Sequence, residues 1–129
     1  MIDIDRECLK FTYEIVSRLR ERGEVGKEVL RYSRRAGTMI LSNGLPATLA
    51  FAYSRNKEAW REVGDSVIRW LCKRNLLKNV LVDEDKVDHV KVFGELSTMN
   101  DWRILIAERE AVRILGWLSR LCEGEFGGK

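Results

Sequence analysis

The sequence predicts an all-α protein that folds as a single compact bundle of about five main helices, with a short third helix. Of its 129 residues, 33% are charged, 9% are aromatic and only one is proline, a composition typical of helical domains. The 45% apolar content is enough for a core without disulfides or a metal. Because apolar residues recur at helical spacing through most of the chain, we expect one domain over residues 1–129.

The first two predicted helices form an antiparallel hairpin. The first begins near Asp3 and Asp5 and ends near Arg22, since apolar residues repeat three and four positions apart between them. Gly23 and Gly26 then mark a short connection. A connection this short favours antiparallel neighbours.

The second predicted helix runs from about Glu24 to Ser42 and has two different faces. On a helical wheel, one face is apolar: Val25, Val29, Tyr32, Ala36, Met39 and Ile40. The opposite face is basic and comprises Lys27, Arg31 and Arg34 with Thr38, and Arg35 lies at its flank. The basic residues are therefore expected to face solvent.

A glycine turn separates the second helix from the short third one. Asn43-Gly44 is also compatible with a β-hairpin turn, but helical spacing continues on both sides, so Gly44 is interpreted as the left-handed residue that ends the second helix. Pro46 then falls in the first turn of the third helix, where proline is tolerated. We expect the almost wholly apolar segment that follows to be buried: Ala47, Leu49, Ala50 and Phe51.

The second half of the chain contains two longer helices and a weakly patterned segment. Ser54 or Asn56 is predicted to cap a fourth helix that ends near Asn75. Residues 76–97 are predicted to be a variable loop or insertion, with a short extended piece at 80–82 and a helical turn within 87–93.

The last predicted helix runs from Thr98, with Asp101 in the capping-box position, to about Glu123, and residues 124–129 form a frayed tail. It is apolar on more than half of its circumference. Such a helix is either central in the bundle or presents a second face to a partner.

Charge is unevenly distributed along the chain. The net charge is +3, yet residues 17–61 hold ten basic and four acidic side chains, and residues 83–101 hold two basic and six acidic ones. Residues 29–57 contain no acidic side chain at all. This basic segment indicates a local positive field suited to a polyanion.

No arrangement of residues predicts catalysis. The single histidine, His89, lies in a charged segment and is expected to be solvated. The acidic run 83–85 with Asp88 has ligands suited to Mg²⁺, but without calcium-loop spacing a solvated loop is expected. The chain has no Cys-x-x-Cys pair, phosphate-binding glycine loop or nucleophile elbow. We therefore expect no enzyme activity, metal, cofactor or small-molecule substrate.

The cysteines and the hydropathy pattern predict a cytoplasmic protein without a membrane anchor. Cys8, Cys72 and Cys122 are odd in number and at least 50 residues apart, so buried free thiols in a reducing compartment are expected. No secretory signal pattern opens the chain, and no apolar run is long enough to span a bilayer.

The basic residues are predicted to contact phosphates. A purely solvated helix face usually mixes charges of both signs, whereas Arg31, Arg34 and Arg35 have only Glu28 nearby. Tyr32 is predicted to be a core residue rather than a base-stacking platform, and so is Tyr53. The predicted phosphate contacts, which carry no base code, are Lys27, Arg31, Arg34, Arg35, Arg55 and Lys57.

At residues 32–51 and 108–121 the chain resembles the small subunit of the Cmr complex, the type III-B CRISPR RNA-guided effector. Residues 32–51, YSRRAGTMILSNGLPATLAF, match the family's pattern of a tyrosine-and-basic helix, an Asn-Gly-Leu turn and an Ala-Phe helix. Residues 108–121, EREAVRILGWLSRL, look like its closing helix with a Trp-Leu pair. The resemblance covers most of the chain except residues 76–96. Pro46 and Gly37 depart from it.

The resemblance implies a non-catalytic subunit in an antiviral ribonucleoprotein. Its copies would stack head to tail beside the guide-bound backbone subunits and against the large subunit. A basic groove would hold target RNA by its sugar-phosphate chain, and cleavage would belong to other subunits. From the uneven charge, we also expect the acidic region 83–101 of one copy to face the basic region of the next.

Two other functions fit the residues alone. One is a small helix-turn-helix DNA-binding regulator, with Gly44-Leu45-Pro46 as its turn. The other is a protein-interaction bundle whose arginines are only solvated.

Overall fold

The computed structural model describes residues 3–83 and 86–127, and this part of the chain is all-α. Its helices are α1 (Ile4–Leu19), α2 (Gly23–Asn43), α3 (Leu45–Ser54), α4 (Glu58–Lys73), α5 (His89–Thr98) and α6 (Asp101–Phe126). The described residues contain no β-strand, only an isolated antiparallel bridge between Leu81 and Val87. The predicted fold class is confirmed, with six helices in place of about five.

Helix α6 is the centre of the bundle and packs against α1, α2 and α4. Its buried apolar side chains form one stripe: Ala107, Ala111, Ile114, Leu115, Leu118 and Cys122. α1 runs parallel to α6, because Asp5 lies beside Arg113 and Arg20 beside Glu125. α2 runs antiparallel to α6, because its start contacts Phe126 and its end contacts Glu108. The predicted antiparallel α1–α2 hairpin is therefore confirmed.

Side-chain caps begin α1, α5 and α6. The Asp3 carboxylate accepts a hydrogen bond from the Arg6 N–H at 3.2 Å, and the Asp88 carboxylate accepts one from the Lys91 N–H at 3.2 Å. The Asn100 side chain accepts one from the Arg103 N–H at 2.8 Å. The prediction that the last helix starts at Thr98 was wrong, because Thr98 is the last residue of α5.

The predicted caps of α4 were also wrong. Lys57 precedes this helix and makes no capping hydrogen bond. The Ser54 hydroxyl instead donates to the Phe51 carbonyl at 2.8 Å, within the preceding helix. Asn56 lies in the left-handed region with φ of 54°, and its side-chain oxygen accepts from Arg61 at 3.5 Å.

The turn between α2 and α3 uses glycine as predicted, in a different conformation. Gly44 has φ of 91° and ψ of 165°, so φ is positive but the residue is not left-handed helical. Pro46 lies in the first turn of α3, as predicted. Burial of α3 is only partial: Leu49 is buried, Ala47 and Ala50 are exposed, and Phe51 is half-buried, because a surface helix has only one inward face.

Residues 76–97 are more structured than predicted. They include all but the last residue of α5, which buries Val92 and Leu96, and the bridge segment, which contributes Leu77 and Val80 to the core. The predicted tail also differs, since α6 continues to Phe126. The Phe126 ring packs directly over Gly26 of α2, where a Cβ atom would collide with it.

All three cysteines are free; Cys8 and Cys122 are fully buried and Cys72 is partly buried. Within the described residues, every helix is too short or too polar to cross a bilayer.

Candidate nucleic-acid interface

The six predicted basic residues are all exposed, and we call them the basic face: Lys27, Arg31, Arg34, Arg35, Arg55 and Lys57. Four come from α2, Arg55 follows α3, and Lys57 immediately precedes α4. The packing of α2 against α3 and α4 brings Lys57 to the same ring as Arg31 and brings Arg55 to the same ring as Arg35. The exposure of the four α2 residues was correctly predicted from the sequence, and the contact of all six residues with phosphates remains a prediction.

One end of the basic face surrounds Tyr32. The Tyr32 ring stacks on the buried Trp60 ring, with centroids 4.5 Å apart and an interplanar angle of 7°. The Arg31 guanidinium lies 5.8 Å from the Tyr32 centroid and the Lys57 ammonium 5.6 Å from it. Half-buried and stacked in this way, Tyr32 is a core residue as predicted.

Lys57 is anchored at this end by two neighbours. Its ammonium donates to the Tyr32 hydroxyl at 3.0 Å and lies 3.5 Å from the Glu28 carboxylate. The hydrogen bond with Tyr32, and then the nearby charge of Glu28, raise the pKa of Lys57 above its usual value. Lys57 is therefore cationic at neutral pH.

The other end of the basic face surrounds Phe51. The Arg35 and Arg55 guanidinium carbons lie 5.5 Å and 5.4 Å from the Phe51 centroid, and Phe51 meets Trp60 edge-on at 5.2 Å. Contacts between cations and aromatic rings restrain long side chains. Four of the six basic residues thus border one aromatic cluster, Tyr32, Trp60 and Phe51.

Carboxylates from other parts of the fold partly neutralise the basic face. Arg34 lies 3.3 Å from Glu123 of α6, and Arg31 lies 3.9 Å from Glu28. In the described part of the chain, Lys27, Arg35 and Arg55 have no ion pair. The strongest uncompensated charge therefore lies around Phe51.

Sequence reasoning missed the role of Phe51, which it assigned to a buried segment. Arg35 and Arg55 are twenty residues apart, and nothing in the helical pattern places both beside the same ring. The only available signal was the absence of acidic residues between them. The same pattern gave no indication of Glu123, which is distant from Arg34 in the sequence but lies close to it in space.

The prediction that His89 is solvated was wrong. It is half-buried at the start of α5, with its ring centroid 3.9 Å from that of Tyr53. Its Nε2 lies 3.4 Å from the Asp65 carboxylate, which also accepts the Tyr53 hydroxyl at 2.7 Å. Burial, and then Asp65, raise the pKa of Tyr53 far above its usual value. The histidine thus attaches α5 to α3 and α4. Tyr53, half-buried, is part of the packing as predicted.

The acidic run 83–85, which was expected to be a solvated loop and not a metal site, is only partly within the described residues. Glu84 and Asp85 lie outside them. Among the residues that are described, no three histidine, cysteine or acidic side chains come together as a metal site would require.

The fold and this surface define a small helical protein that presents basic side chains around an aromatic cluster. Residues 4–125 match the family described as CRISPR-associated protein (Cas_Cmr5). Because the match covers nearly the whole chain, the protein belongs to this family and is a small subunit of the CRISPR Cmr complex. The match includes residues 76–96, which the sequence resemblance left out. No curated protein matches the chain.

Proposed function

We propose that the protein is a non-catalytic subunit of the Cmr effector that holds the sugar-phosphate backbone of target RNA without reading its sequence. Its partners are the large subunit, the backbone subunits and further copies of itself, which stack so that the acidic region 83–101 of one copy faces the basic region of the next. The observation that carries the RNA-binding proposal is the pair Arg35 and Arg55, both held against Phe51 without a neutralising acid.

The geometry favours phosphates over bases as ligands. One face of Tyr32 is covered by Trp60, and cations lie close to the ring. Phe51 is likewise bordered by two guanidinium groups and the edge of Trp60. Guanidinium groups donate several hydrogen bonds in a plane and suit phosphate oxygens. Contacts of this kind hold a strand without distinguishing its bases.

Salt-dependent RNA binding tests the proposal. Fluorescence anisotropy with a labelled single-stranded RNA should give a log–log slope near −3 if about four phosphates are neutralised. Arg35→Glu combined with Arg55→Glu should weaken binding at least about tenfold and make the slope shallower by about 1.4, as expected for two lost contacts. Arg31→Glu with Arg34→Glu should also weaken binding, by less, because Glu28 and Glu123 already oppose those charges.

A third double variant provides the control. Arg18→Glu with Lys73→Glu changes the net charge equally, but these residues border a groove between α1 and α4, away from the basic face. Its salt slope should equal that of the wild type. An equal loss of RNA affinity in this variant and in Arg35→Glu with Arg55→Glu would contradict the assignment. Absence of RNA binding by the wild type at low salt, alone and in the complex, would instead favour the protein-interaction bundle.

The structure gives the helix-turn-helix alternative little support. Its recognition helix would be α3, which contains no basic residue and buries Leu45, Thr48, Leu49 and Ala52. The exposed side chains of α3 include two alanines, whereas base reading requires long polar side chains in the major groove. Protection of a palindromic DNA site in a footprinting experiment would instead support this alternative.

A further inference from the structure

An apolar surface remains uncovered at the start of α6. It consists of Leu41 from α2 and of Trp102, Leu105 and Ile106 from α6, which we call the α6 apolar face. The exposed fractions of these side chains are 77%, 72%, 49% and 37%, respectively. α1 does not shield it because Asp5, at the start of α1, is level with Arg113, and the preceding turns of α6 extend beyond it. Grouped exposed apolar residues that include tryptophan mark protein interfaces.

Opposite charges lie on either side of this face. Asp101 and Arg109 are each four residues from Leu105 along α6, or about 6 Å. Both are exposed, and neither has an ion pair within the part of the chain that the structure describes. The charge pattern therefore changes sign about Leu105.

A groove of about 390 Å³ lies beside the face, between α2 and α6. It is lined from α6 by Leu105, Glu108, Arg109, Val112 and Arg113, of which the first four lie at positions i, i+3, i+4 and i+7, and Leu41 contributes from α2. Residues at spacing i, i+3, i+4 and i+7 form the hole into which a side chain of a neighbouring helix inserts. The centre of this hole lies near residue 108.

We propose that two copies of this chain pair about a two-fold axis through Leu105, with their α6 helices antiparallel. In this register, residues equally distant from Leu105 on opposite sides face each other. Leu105 meets its own counterpart, and Arg109 faces Asp101 of the second copy. Trp102, three residues before the axis, enters the groove of the second copy centred near residue 108.

These features favour a second copy of this chain as the partner that covers the α6 apolar face. A two-fold interface must be complementary to itself, and both the sign change about Leu105 and the matched distances of Trp102 and the groove have this property. The contact is closed, unlike head-to-tail stacking. It uses none of the basic face, so it is independent of the proposed RNA binding.

Molar mass in solution tests the pairing. Sedimentation velocity of the purified chain should show a monomer–dimer equilibrium that depends on concentration. Leu105→Glu should abolish the dimer, because it places two carboxylates at the axis. Val90→Glu is the matched control, since Val90 is 82% exposed on α5 and lies outside the face; this variant should dimerise normally.

Charge reversal tests the register. Asp101→Arg or Arg109→Asp alone should each weaken the dimer, because like charges then face each other. The double variant should recover it, and an equimolar mixture of the two single variants should form heterodimers. Circular dichroism on each variant should confirm intact folding.

A wild-type chain that stays monomeric at every concentration would overturn the proposal. So would a dimer that survives Leu105→Glu, or charge-reversed variants that do not rescue each other. Protection of Trp102 only when other Cmr subunits are present would assign the face to a different partner. RNA binding by the Leu105→Glu variant should be unchanged, so the two proposals fail separately.

Discussion

Cys8 and Cys122 are packing residues whose thiols are kept protonated by the fold. Burial, and secondarily the Glu110 carboxylate, raise the pKa of Cys8 to about 12. Burial, and secondarily Glu62, raise the pKa of Cys122 to about 12 as well. Burial also raises the pKa of the partly buried Cys72. Thiolates are the reactive form of cysteine, so these side chains are expected to react slowly in the native protein.

Stability should fall as pH rises above the ordinary thiol pKa of 9.0. Below that pH both the folded and the unfolded chain keep their thiol protons, so the buried neutral thiols contribute their full stabilisation. Between pH 9 and pH 12 the unfolded chain loses thiol protons that the folded chain retains, so the free energy of unfolding decreases. The midpoint of urea unfolding should drop over pH 9 to 11.

The variant Cys8→Ala with Cys122→Ala isolates this effect. It should have a shallower decrease over the same pH range, whatever its stability at pH 7. Tyr53 and Cys72 contribute to the decrease in both proteins, since the pKa of each is also raised, and their contributions cancel in the comparison. Parallel pH profiles for the two proteins would show that the thiols are not the cause.

At the scale of elements, a glycine in the turn after α2 and a glycine inside α2 affect stability in opposite ways. Gly44 has φ of 91°, and a Cβ there would lie 3.1 Å from the Glu108 carboxylate. That carboxylate accepts the Leu45 N–H at 2.8 Å and so connects the start of α3 to α6. Gly37 lies inside α2, and a Cβ there meets nothing within 4 Å.

Alanine at the two positions should change stability in opposite directions. Gly44→Ala should lower the free energy of unfolding by about 1–2 kcal/mol, because side chains disfavour positive φ. Gly37→Ala should raise it by about 0.5–1 kcal/mol, because alanine restricts the unfolded chain and favours helix. Urea denaturation measures both changes. A shift of the same sign in the two variants would contradict this account.

The local sequence pattern alone does not determine at which residue a helix begins or ends. Thr98, Asn100 and Asp101 are all competent caps, and their sequence spacing does not choose among them. Asn100 caps α6 because α5 continues through Thr98. Asn56 illustrates the same point, since its left-handed backbone shapes the turn before α4 and its side chain reaches Arg61 instead of a cap.

At the scale of the whole molecule, the buried Glu110 links three helices through a network of polar contacts. Its carboxylate in α6 accepts the Trp70 indole N–H of α4 at 3.1 Å and the Arg113 Nε–H at 3.3 Å. Arg113 also reaches Asp5 of α1 at 3.2 Å. Arg74, at the end of α4, lies between Glu110 and Glu7. The network therefore joins α1, α4 and α6.

Removing the central carboxylate should destabilise the bundle strongly. Glu110→Ala should lower the free energy of unfolding by about 2–4 kcal/mol, because it leaves the buried Trp70 indole N–H unpaired and removes one of the two carboxylates beside each of Arg74 and Arg113. Glu110→Gln should cost less, since the amide oxygen still accepts from Trp70. Glu95→Ala, at an exposed position of α5, should change stability by no more than about 0.5 kcal/mol. Similar unfolding midpoints for Glu110→Ala and Glu95→Ala would contradict the role of the network.

The sequence by itself determined the helical class, the two faces of α2 and the exposure of the four basic residues on α2. These properties follow from a helical period of 3.6 residues, which sorts side chains by direction within one element. Only the tertiary structure decided which elements meet. It brings Arg35 and Arg55 to Phe51, places Glu123 opposite Arg34, and attaches His89 to Asp65.

The same distinction explains the α6 apolar face. The sequence indicated surplus apolar surface on the last helix but left open whether the core or a partner covers it. The answer depends on where α1 begins relative to α6. Such offsets are set by packing between residues far apart in the chain, about which periodicity within one helix carries no information.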